Sequence, residues 1–330
     1  MLNFDSGVAM VITDLHGDWD AYKRYRDHFL TLQEQGSADY FIVLGDMIHH
    51  TGPQTMDASV EIVLDLINLQ KSNPEHIICL LGNHELPHIY SILLQKGDDL
   101  FTPRFEHAMG DHRPQIVQFL DSLPFYIRTK AGVTLCHAGA TPDISKKDGL
   151  ERLRYFSHRQ ILNEAAAAIE EPDELSSLKR EMRKLYGRSY NEMARKYLAV
   201  EGLDDPRYND FLIGSIASNG SPEFDLLWSA MFTKNEQAYG DHGYSLILNS
   251  MLQTMSINYH PQMVLLSGHI DCQGGYTMIN NQQLRMASAK HAQPREAGLY
   301  LLFDMEKSVE TAVELTPNLH SVFHSPKITS

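Results

Sequence analysis

The chain is short of cysteine, of positive charge and of long apolar stretches, and each shortage closes off a class of protein. Its 330 residues contain three cysteines, Cys79, Cys136 and Cys272, odd in number and widely spaced, which is not a disulfide framework. Cys79 and Cys136 sit inside apolar runs and read as buried free thiols in a reducing compartment. Lys and Arg number 28 against 42 Asp and Glu, a formal net charge of -14. Without a basic footprint, duplex nucleic acid is not an expected partner. The deficit leaves phosphate chemistry open, because bound divalent ions reverse a local field. No apolar run approaches the roughly 20 residues of a membrane-spanning helix, so no membrane partner is expected. Met1-Leu2-Asn3-Phe4-Asp5 offers neither the basic region nor the apolar core of a secretory signal, and a cytoplasmic protein is expected. Apolar content of 43% and charged content of 21% are those of a globular fold. The length suits one large domain or two ordinary ones.

What is present is a series of apolar runs that end in Asp, Asn or His. Val8-Ala9-Met10-Val11-Ile12-Thr13 reads as a buried strand and runs into Asp14-Leu15-His16-Gly17-Asp18. Asp14 and His16 are two apart, so at an extended strand end they point the same way. A carboxylate and an imidazole on one side form half a metal site. Trp19 to Gln35, with Tyr22, Tyr25, Phe29 and Leu32 at helical spacing, reads as the following helix. Phe41-Ile42-Val43-Leu44 is the next strand and ends in Gly45-Asp46. A second helix, Val60 to Gln70, leads to the strand Ile77 to Leu81 and the tetrapeptide Gly82-Asn83-His84-Glu85. Asn83 offers a neutral amide oxygen, and His84 a nitrogen that need not ligate and can move a proton. This βαβαβ order predicts a parallel sheet with ligands at the carboxyl ends of its strands.

The next stretch is less legible. Pro103, Pro114 and Pro124 break up residues 86 to 130, where Gln115 to Ser122 reads as a short helix and Phe125 to Thr129 as a strand. Gly132 to Cys136 is a strand that delivers His137. From about Asp148 to Val200 the text is helical, with a break at Pro172-Asp173 and Asp173 as a candidate N-cap. This stretch reads either as a charged, solvated helical hairpin or as a lid over the strand-end face. Met263 to Ser267 is a strand ending in Gly268-His269. Gly275 to Ile279 and Leu284 to Ser288 predict a hairpin, and Leu299 to Phe303 with Val309 to Leu315 a second. A mostly parallel first half thus meets an antiparallel second half. There is no internal repeat and no clean linker, so 1–330 reads as a single domain.

Asp14, His16, Asp46, Asn83, His137 and His269 then form one constellation, with His84 beside it. Singly, each has an ordinary explanation as a turn cap or a satisfied histidine. Together, behind successive strand ends, they point to a metal site. Asp46 has two oxygens and can bridge two ions. Asp14 and His16 complete one ion; Asn83, His137 and His269 complete the other. The mixture of oxygen and nitrogen ligands suits Mn, Fe or Zn better than Ca or Mg. Two such ions about 4 Å apart can activate a bridging hydroxide and clamp both sides of an in-line attack at phosphorus. His84 would protonate the leaving oxygen.

Asp14-Leu15-His16-Gly17, Gly45-Asp46, Gly82-Asn83-His84-Glu85, His137-Ala138-Gly139 and Gly268-His269 resemble the five motifs of the calcineurin-like metallophosphoesterases. The match is closest to the phosphoprotein phosphatase branch: Leu226-Leu227-Trp228-Ser229 resembles its tryptophan motif, and Arg285-Met286-Ala287-Ser288-Ala289 its late phenylalanine-serine-alanine segment. The similarity spans the chain except roughly residues 148–215, which look like a helical insertion. It implies an α/β fold, a two-sheet β-sandwich flanked by helices, and a dinuclear metal-dependent hydrolase of phosphomonoesters on a protein Ser or Thr or on a small molecule. A nucleotide or dinucleoside polyphosphate hydrolase is the alternative enzyme. A metal-retaining but catalytically weakened binding protein is the alternative outside enzymes. The branch usually follows Gly-Asp with valine-aspartate-arginine-glycine, where this chain has Met47-Ile48-His49-His50-Thr51-Gly52. By position, His49 replaces the carboxylate that partners the catalytic His, and His50 replaces a phosphate-binding Arg. A second family Arg aligns with His242. Arg104, Arg113 or Arg285 could take over the lost guanidinium. Substrate identity and oligomeric state are not written in these motifs.

Overall fold

The structure, a computed structural model, describes residues 1–146, 148–169, 172–232 and 234–323. Two compact units emerge. One is built from Met1–Asn83, Leu123–Arg154 and the chain from Trp228 onward; the other from His84–Ser122 and Tyr155–Leu227.

The first unit is a pair of sheets with helices. A six-stranded sheet runs in the order Leu2–Phe4, Tyr126–Thr129, Val133–Cys136, Val264–Ser267, Gln283–Met286, Tyr276–Asn280. A five-stranded sheet runs Leu319–His320, Tyr300–Asp304, Val8–Ile12, Tyr40–Val43, Ile77–Cys79. Strand side chains alternate between faces, and the inward set is apolar in both sheets. Ala9, Val11, Ile42, Leu301 and Phe303 from one sheet share a buried core with Val133, Leu135, Val264, Leu266, Leu284 and Met286 from the other. On the outer face of the five-stranded sheet, Phe41 stacks on Phe29 of helix Trp19–Glu34, ring centroids 5.1 Å apart. That helix begins where the Asp18 side chain accepts the Ala21 N–H at 3.0 Å.

The strands Val8–Ile12, Tyr40–Val43 and Ile77–Cys79 pair in parallel, as the βαβαβ order predicts. Tyr276–Asn280 and Gln283–Met286 form the first expected hairpin. The second does not form. Ala312–Asn318 is a 3-10 helix opened by a reciprocal capping box between Thr311 and Glu314. Tyr300–Asp304 pairs instead with Val8–Ile12 and Leu319–His320. Nor is the second half of the chain antiparallel throughout. Val264–Ser267 runs parallel to both Val133–Cys136 and Gln283–Met286, so the carboxyl ends of these three strands share one edge.

The second unit is largely helical, with Leu86–Tyr90, Phe101–Met109, Arg113–Asp121, His158–Ala167, Pro172–Tyr186, Tyr190–Leu198 and Asp210–Gly220. Asp173 lies within the first turn of its helix and does not cap it. Aromatic and Met side chains, among them Tyr190, Met193, Tyr197, Tyr208 and Phe211, make a core of their own. Ser189 and Glu192 cap the Tyr190–Leu198 helix reciprocally. Among the described residues no helix is long and apolar enough to cross a membrane.

Candidate metal centre

The centre is built where strand ends of the first unit are tied to one another. Beyond the strands, the His16 N–H donates to the Asp46 carbonyl at 2.9 Å, Gly268 N–H to the His137 carbonyl at 2.8 Å, and Lys290 N–H to the Asp14 carbonyl at 3.2 Å. Two glycines permit this closeness. A Cβ at Gly268 would lie 2.3 Å from Asp14 Oδ2 and 2.1 Å from Thr13 Oγ1. At Gly45, whose φ is +89°, a Cβ would lie 2.6 Å from the Gly82 nitrogen. Asp14, His16, Asp46, His49 and His269 all hold positive φ. Such backbone costs of order 1–3 kcal/mol per residue and persists where surrounding structure fixes it, commonly at functional sites.

Asp46 occupies the middle. Its Oδ2 lies 3.4 Å from His16 Nε2, and its Oδ1 lies 3.4 Å from His137 Nε2. One carboxylate thus addresses two imidazoles through separate oxygens. The far nitrogens are held from behind: His16 Nδ1–H donates to the Ile48 carbonyl at 3.1 Å and His137 Nδ1–H to the Leu44 carbonyl at 2.9 Å. Each ring therefore directs the lone pair of Nε2 inward. His137 Nε2 is also 2.9 Å from Asn83 Oδ1 and 3.1 Å from His269 Nδ1. Asp14 Oδ2 accepts the His269 N–H at 2.9 Å and the Thr13 hydroxyl.

The donor chemistry fits metal ions. Burial pushes His137 below the ordinary histidine range, against the pull of Asp14, and pushes His269 well below it. Both rings are therefore neutral at pH 7, as a metal-binding imidazole must be. With Nδ1–H committed to Leu44, the inward nitrogen of His137 is an acceptor that meets a carboxylate oxygen, an amide oxygen and another imidazole nitrogen. Acceptors converging in a buried space repel unless a cation lies among them. The 3.4 Å separations are long for hydrogen bonds. They match neighbouring ligands of one ion whose own bonds are about 2.0–2.2 Å. Ligand atoms of Asp14, His16, Asp46 and His291 lie within 4.8 Å of one another, as do those of Asp46, His137 and His269. His291 is a member that the sequence reading missed.

The remaining residues singled out in the sequence are placed as follows. His84 follows Asn83 directly and is half-buried, with its ring edge-on to Phe101 at 5.3 Å. His49 is buried, and its N–H donates to Ser59 Oγ at 2.8 Å. His50 lines a cavity of about 260 Å³ with His16, Asp18, Lys290 and Arg295. His242 is exposed on helix Asn235–Met255, and no contact among the described residues joins it to the cluster. Arg113 and Arg285 are engaged elsewhere, with Glu106 at 2.6 Å and Glu236 at 2.7 Å.

A family model of calcineurin-like phosphoesterases matches residues 8–230, about two thirds of the chain. The protein belongs to that family and is a metal-dependent phosphoesterase, whose substrate is a phosphate ester. Solved structures of similar shape include a cold-active protein tyrosine phosphatase from a psychrophilic Shewanella species, at 14% identity and a TM-score of 0.42, covering 94% of this chain and 81% of that one. A serine/threonine phosphatase from Saccharomyces cerevisiae with similarity to human PP5 aligns at 12% identity and a TM-score of 0.46, over 92% of this chain and 76% of that one. A metallophosphoesterase from Sphaerobacter thermophilus aligns at 13% identity and a TM-score of 0.33, over 95% and 93%. No curated protein sequence matches the chain.

Proposed function

We propose that the chain is a dinuclear phosphomonoesterase, with Asp14, His16 and Asp46 holding one ion and Asp46, Asn83, His137 and His269 the other. The observation that carries this reading is the position of Asp46, whose two oxygens each face a different imidazole at 3.4 Å. Bound ions, of Mn, Fe or Zn, supply Lewis-acid charge and a nucleophile at neutral pH. The chain's own contribution is to hold neutral imidazoles and two carboxylates at fixed spacing, and to keep their outward nitrogens committed to carbonyls. His84 is the general acid for the leaving oxygen, and His49, by its place in the motif, takes the position of the family carboxylate that partners it. His50 binds the phosphate group, with Lys290 in the same cavity supplying positive charge; Arg295 there is paired with Asp18 at 2.6 Å and with Asp20 at 3.0 Å. His242, aligned with a family Arg, is assigned to phosphate as well, and its exposure on a helix makes it the weakest member of that set. The cytoplasm is the proposed location.

The reading is tested by elemental analysis and turnover of p-nitrophenyl phosphate with added Mn. Wild type should bind two ions per chain and turn over. Asp46→Asn should lower occupancy of both sites, whereas His269→Ala should empty mainly one. In His84→Ala the ions should stay while kcat falls by roughly 10² to 10⁴ for a poor leaving group, and less for a good one. Trace metal in reconstituted wild type would overturn the dinuclear reading. Loss of metal in His84→Ala would overturn the role given to His84.

A further inference from the structure

We propose that His291 is a further ligand of the ion held by Asp14, His16 and Asp46, oriented for it by Asp271. The inference rests on the metal-site reading above and adds a residue that the family motifs do not contain.

Geometry places His291 among the ligands. Its Nε2 lies 3.7 Å from Asp14 Oδ1. Its ring stands edge-on to the His16 ring, centroids 5.1 Å apart. Its side chain is only 15% exposed. The 3.7 Å spacing is too long for a hydrogen bond and suits two ligands of a common ion. On the other side of the ring, Nδ1 lies 2.5 Å from Asp271 Oδ1. The carboxylate accepts the Nδ1–H, so the lone pair belongs to Nε2, the atom that faces Asp14. A carboxylate behind an imidazole fixes its tautomer and raises its basicity, the usual support of a metal-binding histidine. A surface ion pair between His291 and Asp271 would need Nδ1 alone and would give no reason for Nε2 to face a buried carboxylate.

The backbone holds this arrangement in place. His291 lies just past the strand Gln283–Met286, whose carboxyl end shares an edge with that of Val264–Ser267. Cys272 pairs with Ala292 and Gln273 with Gln293 in a short parallel ladder, which sets Asp271 and His291 side by side. Cys272 N–H donates to the His291 carbonyl at 2.7 Å. Ser288 Oγ accepts the Thr13 N–H at 3.0 Å, anchoring the segment to the strand that carries Asp14. The ion would then have two carboxylates and two imidazoles, a set suited to Mn, Fe or Zn.

The test uses the full chain loaded with Co²⁺, comparing wild type, His291→Ala, His291→Cys and Asp271→Asn. Circular dichroism confirms that each is folded. Chelator competition should show one of two ions weakened at least 100-fold in His291→Ala, and 10- to 100-fold in Asp271→Asn. Co²⁺-loaded His291→Cys should gain a thiolate-to-cobalt charge-transfer band that wild type lacks, because a thiolate at this place enters the coordination sphere. Unchanged affinity for both ions in His291→Ala, or a Cys variant without the new band, overturns the proposal and leaves the dinuclear reading intact. If wild type binds a single ion, the dinuclear reading fails, and the proposal stands only if that ion is the one His291→Ala loses.

Discussion

Asp46 in the first unit and Glu106 in the second are both buried carboxylates, and they keep opposite company. Glu106 faces hydrogen-bond donors: His88 Nδ1 at 2.8 Å and the Arg113 guanidinium Nε at 2.6 Å, with both the His88 and Glu106 side chains fully buried. Burial alone would raise the Glu106 carboxyl, but His88 and Arg113 together outweigh it and hold the group below the ordinary range. Asp46 is surrounded by imidazole lone pairs and lies near a second carboxylate, Asp14. The carboxylate of Glu106 meets a guanidinium of the chain itself, whereas Asp46 sits in a candidate metal-binding group. Burial and acidity therefore do not identify a functional carboxylate; the sign of its neighbours does.

The comparison is broken most directly at Glu106. Glu106→Gln removes the carboxylate that pairs with the Arg113 guanidinium, and a severed buried pair costs about 3–5 kcal/mol. The loss should be the same with or without metal, measured by urea unfolding of metal-loaded and metal-stripped protein. The pH dependence has a definite sign. A depressed carboxyl contributes stability that is present above its unfolded value, about 4.3, and is lost as pH falls through the lower folded value. The variant should therefore lose its disadvantage in acid. A metal-dependent loss in Glu106→Gln would show that the two charge clusters are coupled.

Asp46→Asn should behave in the opposite way. In metal-stripped protein, removing one of several clustered acceptors should leave stability unchanged or raised. With metal at 100 times its dissociation constant, wild type should gain about 2.7 kcal/mol per ion, and the variant much less. Thermal unfolding across a Mn titration reads this difference. Equal gains in the two proteins would show that Asp46 is not a ligand.

Much of the first unit was legible because its information is local. Asp14, His16, Asp46, Asn83, His137 and His269 each end an apolar run within a few residues, and strand ends collect at one edge whenever the strands are parallel. His291 was not legible for the opposite reason. Leu284 to Ser288 read as the return arm of a hairpin, which hid its parallel pairing with Val264–Ser267. That pairing is set across the sheet and leaves no mark in the segment itself. Asp271 and His291 are likewise joined by a ladder 20 residues apart in sequence. The hairpin expected at Val309 to Leu315 failed on a cue that was present, Thr311 and Glu314 at capping-box spacing, which outweighed the β-branched run. In the second unit the pairing of His88, Glu106 and Arg113 depends on how three short helices pack, which spacing alone does not encode.

Asp210, another acid of the second unit, sharpens the comparison with the smallest effect. Asp210 opens the helix Asp210–Gly220. Burial raises its carboxyl to about 6, although Arg113 and Arg207 pull it back. Unlike Glu106, it is in direct ion-pair contact with neither arginine. Its folded pKa lies above the ordinary value of about 3.9, so the native state holds the proton more tightly than the unfolded chain. Stability is then greatest below about pH 4 and declines as pH rises from about 4 to 6. Keeping the charge at pH 7 costs about 1–3 kcal/mol. Attraction to the helix N-terminus returns about 0.3–1 kcal/mol of that. Asp210→Asn should therefore stabilise the protein by about 1–2 kcal/mol at pH 7.5, and the gain should vanish at pH 4. Urea unfolding at the two pH values measures both. A variant less stable than wild type at pH 7.5 would mean that Asp210 is ionised without penalty, satisfied by its surroundings as Glu106 is.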